Sequence, residues 1–245
     1  MTSVSAAAPR IGFDRFLAMD WVSAAMRVRA GIGSREELVQ QLDQAGLTVA
    51  ARKKTITLLN RLWLEPRPEL SAFSDRGVAA WSAGTGIPPA ALAWGMTVAA
   101  YPFFAKVAEL VGRLTSIQGD CRATEVHRRM EELFGQREGT RRMTNMVLQT
   151  QADWGAIERT DRGQHIVRRE LMRLSDDRVV AWLIEAALRY AGRAVPASTV
   201  GSMAVLYPFV LERPLAMVMA QADGLEVRYH GPGEQLVDIR DRQNA

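Results

Sequence analysis

Arg141, Arg142, Asn145 and Gln149 fall on one stripe of a helix and are of the types that bond phosphates, guanine and adenine from a major groove. Their spacing of three and four residues puts Met143, Met146, Val147 and Thr150 on the opposite, inward face, and Thr140 is placed to cap the helix. Just downstream, Arg159, Arg162, Arg168 and Arg169 straddle a polar turn, 159–163, between short extended runs at 155–158 and 164–169. Two such runs around a glycine-bearing turn make a hairpin, and His165 lies on it within reach of a phosphate. A third basic group, Arg52, Lys53 and Lys54, opens a helix where a helix-turn-helix would meet a phosphate backbone. The same cluster reads equally well as the solvated face of an ordinary bundle, and modules of this shape also bind only proteins.

Catalytic constellations are not found. The sequence has no phosphate-cradling glycine loop, no zincin helix and no nucleophile elbow. Cys121 and His127 are six residues apart, with His165 and His230 scattered, which is poor metal spacing with too few ligands. His127 reads as an exposed helix residue, and Asp176-Asp177 as a cap and dipole partner for the helix behind them. The expectation is a non-enzyme with no cofactor, no metal and no small-molecule substrate.

The elements that must position the basic groups follow from apolar periodicity. Helices are expected over 98–118 (Phe103, Phe104, Val107, Leu110, Leu114) and 123–134 (Val126, Met130, Leu133, stopping at a left-handed Gly135). With the Thr140 helix and the hairpin they make a winged helix. Ahead of it, Phe13, Phe16, Leu17, Trp21, Ala24 and Val28 predict a first helix ending near Gly31. A capping box, Ser34 with Glu37, starts a second. Thr48 starts a third that buries Val49, Ile56, Leu59 and Trp63 and exposes Arg52, Lys53, Lys54 and Arg61. Pro66 and Pro68 break the chain, and a short helix is expected around 78–81. Behind the wing come an amphipathic helix from Val179 to Tyr190 closed by Gly192, a short helix at Pro196, and another from about Arg213 to Ala222. A hairpin of 225–230 and 235–240 follows, so the C-terminal part reads as a second, degenerate winged unit. Tyr101-Pro102-Phe103 and Tyr207-Pro208-Phe209 echo each other, most simply by coincidence.

The expected fold class is therefore mainly α, multi-helical, with helix-turn-helix and winged-helix modules and two short β-hairpins. The expected divisions are a tail at 1–12, a helix-turn-helix-like domain at 13–65, a winged helix at 66–175, and C-terminal helices with a hairpin at 176–245, packed on the preceding domain.

Apolar residues make up 48% and charged ones 24% of the 245, ordinary for a soluble domain, and the net charge is only +4. The basic side is almost all arginine, with Lys53, Lys54 and Lys106 the only lysines. That fits bidentate phosphate contacts and fits a GC-rich genome equally. A lone Cys121 and a small, polar start without a signal pattern point to the cytoplasm. The uncharged run 87–105 is long enough to test as a membrane span, but its prolines, alanines and Gly95 favour a buried helix broken near Pro102.

Four stretches carry a family resemblance: 51–62 (Ala-Arg-Lys-Lys-Thr-Ile-Thr-Leu-Leu-Asn-Arg-Leu), Tyr101-Pro102-Phe103-Phe104, 137–146, and Ala152-Asp153-Trp154-Gly155. Over residues 13 to 170 their order resembles BrxA, a mainly helical family of the BREX bacteriophage-defence systems. The resemblance implies a non-enzymatic DNA-binding accessory factor that works beside other phage-defence proteins, including a methyltransferase and an ATPase. It also implies likeness to the NusB antitermination fold, which keeps RNA open beside double-stranded DNA. Members have been described as inner-membrane proteins, which the weak 87–105 run does not support. The alternative from the residues themselves is a protein-interaction scaffold without direct DNA readout.

Overall fold

The computed structural model of the chain describes residues 12–84, 86–229, 231 and 233–240. The N-terminal tail, Thr85 of the glycine loop, and His230 and Pro232 of the C-terminal hairpin lie outside the described residues.

Helices α1 (Met19–Arg29), α2 (Arg35–Gln44) and α3 (Val49–Leu59) come first, and α3 runs into a π-helical turn, Asn60–Leu64. The Ser34 hydroxyl accepts from the Glu37 N–H at 3.1 Å and Glu37 returns the bond to the Ser34 N–H, so α2 starts at the expected capping box. Residues 13–18, expected as helix, are not helical. Phe13 and Leu17 are fully buried, and the Leu17 N–H donates to Thr150 Oγ1 at 3.1 Å while Trp154 Nε1 donates to the Leu17 carbonyl at 3.0 Å. Tertiary bonds thus replace the helical ones this segment would have made. Val49, expected to be buried, is 87% exposed, because α3 packs through Thr55, Leu58 and Leu59.

Pro68 opens α4 (Pro68–Ala83), much longer than the short helix expected around 78–81. The apolar run becomes α5 (Pro89–Ala100), and the chain then turns by 117° into α6 (Pro102–Leu114), not into one helix over 98–118. Pro102 enforces the break, since its ring cannot continue a helix. Among the described residues no single helix is long and apolar enough to cross a membrane. Nearly all of α5 is buried in protein, with residues 91–98 entirely so. A Cβ on Gly95 would lie 2.3 Å from the Trp182 ring and one on Gly77 2.7 Å from it, so two glycines on neighbouring helices admit that indole. Trp182 stacks on Phe73 at 4.5 Å and its Nε1 donates to the Phe73 carbonyl.

Strand β1 (Asp120–Arg122), α7 (Ala123–Phe134), α8 (Glu138–Asp153), β2 (Ile157–Thr160) and β3 (His165–Arg168) follow α6, and the strands form an antiparallel sheet in the order β1-β3-β2. Next come β4 (Met172–Leu174), α9 (Asp177–Ala191), β5 (Val195–Pro196), two 3-10 turns, β6 (Phe209–Leu211), α10 (Leu215–Gln221), β7 (Leu225–Tyr229) and β8 (Gln235–Ile239). Asp176 caps α9 by accepting from the Arg178 and Val179 N–H groups, and left-handed Gly192 closes it, both as expected. Strand is not confined to the two hairpins. β1 and β5 each join one as a third strand, while β4 and β6 pair in parallel.

In this C-terminal part the sheet order is β5-β8-β7, so in both halves a strand following a helix pairs with the last strand of a later hairpin. The Tyr-Pro-Phe echo does not follow this repetition. Pro102 starts the helix before β1, whereas Pro208 lies after β5, just ahead of β6. One apolar core runs continuously from Phe13 to Ile239.

Candidate nucleic-acid interface

Helix α7 buries Val126, Met130 and Phe134 on the α6 side, and Phe134 meets Phe103 edge-on at 4.8 Å. Leu133, expected inside, is 50% exposed, and Phe134 takes the inner position one residue on. Gly135 ends the helix with a φ of +88° and extended ψ, a conformation open to glycine but not the left-handed helical one expected.

Helix α8 begins at Glu138, with Arg137 in the N-cap position three residues before the expected cap, and the Arg137 guanidinium donates to the Phe134 carbonyl at 2.9 Å. Thr140 is consequently inside the helix and fully buried, where its carbonyl accepts from the Thr144 hydroxyl. The inner face is Thr140, Met143, Thr144, Val147, Leu148, Thr150 and Gln151, while Met146 is only half-buried.

Arg141 and Arg142 are exposed, with Asn145 and Gln149 half-exposed on the same stripe. Among the described residues neither arginine is ion-paired with a carboxylate. On the neighbouring helix α7, by contrast, Glu125 and Glu132 hold Arg128, and Glu125 also holds Arg129.

The hairpin meets α8 through Arg159. Its guanidinium donates to Asn145 Oδ1 at 2.7 Å and to the Gly163 carbonyl at 3.3 Å, and burial lowers its pKa. Arg159 is thus a strut between hairpin and helix, not a free cation, and it occupies the oxygen of Asn145. The turn is tighter than expected, 161–163, with φ values of +49°, +56° and +84° at Asp161, Arg162 and Gly163. Two non-glycine residues in left-handed backbone are strained, and the arrangement leaves Arg162 exposed at the tip. Arg169, just past β3, is also exposed and unpaired with any carboxylate among the described residues.

Two residues expected to face a ligand instead face the protein. Arg168 turns inward: Nε donates to Thr115 Oγ1 at 3.1 Å, a terminal nitrogen to the Gly112 carbonyl at 2.8 Å, and the guanidinium lies 5.2 Å over the Tyr207 ring. His165 Nε2 is 3.1 Å from Asp120 Oδ2 across the β1–β3 pair. His127 is half-buried rather than exposed, and its pKa is lowered first by burial and then by the nearby Arg141 charge.

The N-terminal cluster is largely neutralised. Arg52 pairs with Asp43 at 2.9 Å and Lys54 with Asp14 at 3.3 Å, and Lys53 alone of the three has no carboxylate among the described residues.

Two further cations belong to the module and escaped the sequence reading. Arg122 ends β1, exposed and opposite His165, and Arg137 sits at the start of α8. A three-residue strand has no period to detect, so only the long-range pairing with β3 reveals Arg122. Among the described residues no group of three or more His, Cys, Asp or Glu side chains could hold a metal ion. Burial, aided by Asp120 and Glu125, pushes the Cys121 thiol up to about 11, which leaves it a thiol at neutral pH.

No protein-family model, curated protein or solved structure matches this chain.

Proposed function

We propose that the chain is a non-enzymatic duplex-DNA-binding protein in which residues 102–168 act as a winged helix, α8 entering the major groove and the β2–β3 hairpin lying along the backbone. One observation carries the reading. In a helix-strand-helix-helix-hairpin unit, the exposed stripe of α8 and the hairpin tip carry Arg141, Arg142 and Arg162 without carboxylate partners among the described residues, while Arg128 and Arg129 of α7 are neutralised. Arginines left unpaired on one face cost the fold nothing to give to phosphates. In this reading Gln149 and the free amide of Asn145 supply base contacts, and Arg169 adds a backbone contact. The resemblance to BrxA makes the setting a phage-defence complex of BREX type.

The test is fluorescence anisotropy on duplex DNA, with duplex RNA as a second probe. Replacing Arg141 and Arg142 with alanine is expected to leave stability within about 0.5 kcal/mol, since neither side chain is buried. Duplex affinity should fall by roughly 1–3 kcal/mol for each bidentate base contact, or by less and without sequence preference where the contact is to phosphate. A folded double variant that binds duplex as tightly as the parent would sink the assignment. Binding confined to duplex RNA would move the substrate from DNA to RNA.

A second reading, a protein-interaction scaffold, is favoured by α10. In the C-terminal repetition it takes the place α8 has in the first unit, yet Leu215–Gln221 carries no charge. Met217 on α10 is 51% exposed, and Tyr229 at the end of β7 is 80% exposed. An α8 variant that loses no DNA affinity, with Met217→Lys abolishing complex assembly, would favour this reading.

A further inference from the structure

A cleft of about 970 Å³ opens between α6, the end of α9 and the segment 195–207, at the upper end of the roughly 300–1,000 Å³ usual for small-ligand sites. No residue of α7 or α8 lines it, and Arg168 is the one residue of the β2–β3 hairpin in its lining. Four cations from three parts of the chain line it, Lys106 and Arg113 on α6, Arg168 on β3 and Arg193 after α9, against the single carboxylate Glu109. That carboxylate is already fully used: Lys106 Nζ lies 2.6 Å from Glu109, the Tyr190 hydroxyl donates to it at 2.5 Å, and Arg113 pairs with it as well. Burial alone would raise the Glu109 carboxyl, but these bonds and charges hold it below the ordinary carboxylate value, so it stays ionised.

Arg168 is the telling member. Its guanidinium is partly buried and bonded only to neutral acceptors, the Thr115 hydroxyl and the Gly112 carbonyl. A charge drawn out of water is normally paired, and this one has no carboxylate among the described residues. Arg193 is exposed on the rim and also lacks one among the described residues. Leu171, Pro196 and Met203 add apolar surface to a wall that also carries Ser116, Thr199 and Ser202.

We propose that this cleft binds a small phosphorylated ligand of nucleotide size, its phosphates held by Arg168, Arg193 and Arg113 and its apolar or ring portion against Pro196 and Met203. Phosphate fits better than a single carboxylate because cations from separate elements converge on one concavity, which matches several anionic oxygens read by guanidinium forks. A cleft of this volume takes a nucleotide-sized body and not a duplex.

The test is isothermal titration of the full chain with ADP, adenosine and inorganic pyrophosphate at matched ionic strength. Saturable one-to-one binding of ADP, weaker binding of pyrophosphate and none of adenosine is the expected pattern. Arg193→Glu should weaken ADP by about tenfold or more, and Arg113→Ala, likewise at an exposed position, serves if the first variant fails to fold. Arg141→Ala with Arg142→Ala should leave ADP binding unchanged whether or not it alters DNA binding, so failure here and failure of the DNA reading are separable. The absence of saturable heat with both ADP and pyrophosphate would overturn the proposal. So would ADP binding lost in the α8 variant but kept in Arg193→Glu. A single-stranded oligonucleotide that binds in an Arg193-dependent way where ADP does not would overturn it too, and would give the cleft to a nucleic-acid strand.

Discussion

Arg162 and Arg168 are six residues apart on one hairpin and have opposite surroundings. Arg168 satisfies the Gly112 carbonyl and lies over Tyr207, so alanine there removes two hydrogen bonds and a cation–ring contact. The expected cost is about 1–3 kcal/mol in urea denaturation. Arg162 touches nothing comparable and is held at a φ of +56°, so Arg162→Gly should be neutral or stabilise by up to about 1 kcal/mol while weakening duplex binding evenly across sequences. Equal stability losses for the two variants would contradict this division of roles.

His127 adds a pH dependence of definite sign. Burial and the Arg141 charge place its folded pKa below the ordinary 6.5, so the unfolded chain binds the proton more readily. The stability it contributes is complete above pH 6.5 and is lost as pH falls from there through the lowered folded value. Denaturation at pH 7.5 and 5.5 should show this loss, and His127→Gln should reduce it.

At the level of elements, α5 decides whether the core closes. It carries no charged residue and is almost wholly buried, and Gly95 lets Trp182 approach from α9. Gly95→Val should therefore destabilise by about 1–3 kcal/mol or more through overpacking, read as a fall in the thermal midpoint, and an unchanged midpoint would mean that Trp182 is free to move aside. The burial of α5 and the break before Pro102 were legible in the sequence, as were α2, α7 and α9, because Ser34, Gly135 and Asp176 mark the ends of those three with local chemistry.

Elements whose signal lies elsewhere in the chain were not legible. Residues 13–18 have helical spacing, but Thr150 and Trp154 bind their backbone in a non-helical form. Asp153 supplies the bond to the Met19 N–H that α1 lacks from its own cap. Strands β1, β4 and β5 are two or three residues long and exist only through partners distant in sequence. The candidate site divides in the same way. The solvent-facing stripe of α8 follows from its periodicity, whereas the inward turns of Arg159 and Arg168 depend on Asn145, Thr115 and Gly112, which no local pattern connects to them.

Over the whole molecule the balance of +4 understates how unevenly charge is distributed. Arg52 and Lys54 spend their charge on Asp43 and Asp14, whereas Arg141, Arg142, Arg162 and Arg169 have no carboxylate among the described residues. Each phosphate neutralised by a protein cation contributes about −0.9 to the slope of log K against log salt on duplex DNA. If the DNA face is the α8–hairpin surface, alanine at those four positions should flatten the slope by up to about four units. Alanine at Arg52, Lys53 and Lys54 together should flatten it by at most about one, since of the three only Lys53 lacks a carboxylate among the described residues. Titrations of parent and both variants at 50 to 200 mM salt measure the two numbers directly. A loss of about three units from the N-terminal variant would show that its ion pairs open to receive phosphates, extending the interface from α8 across to α3.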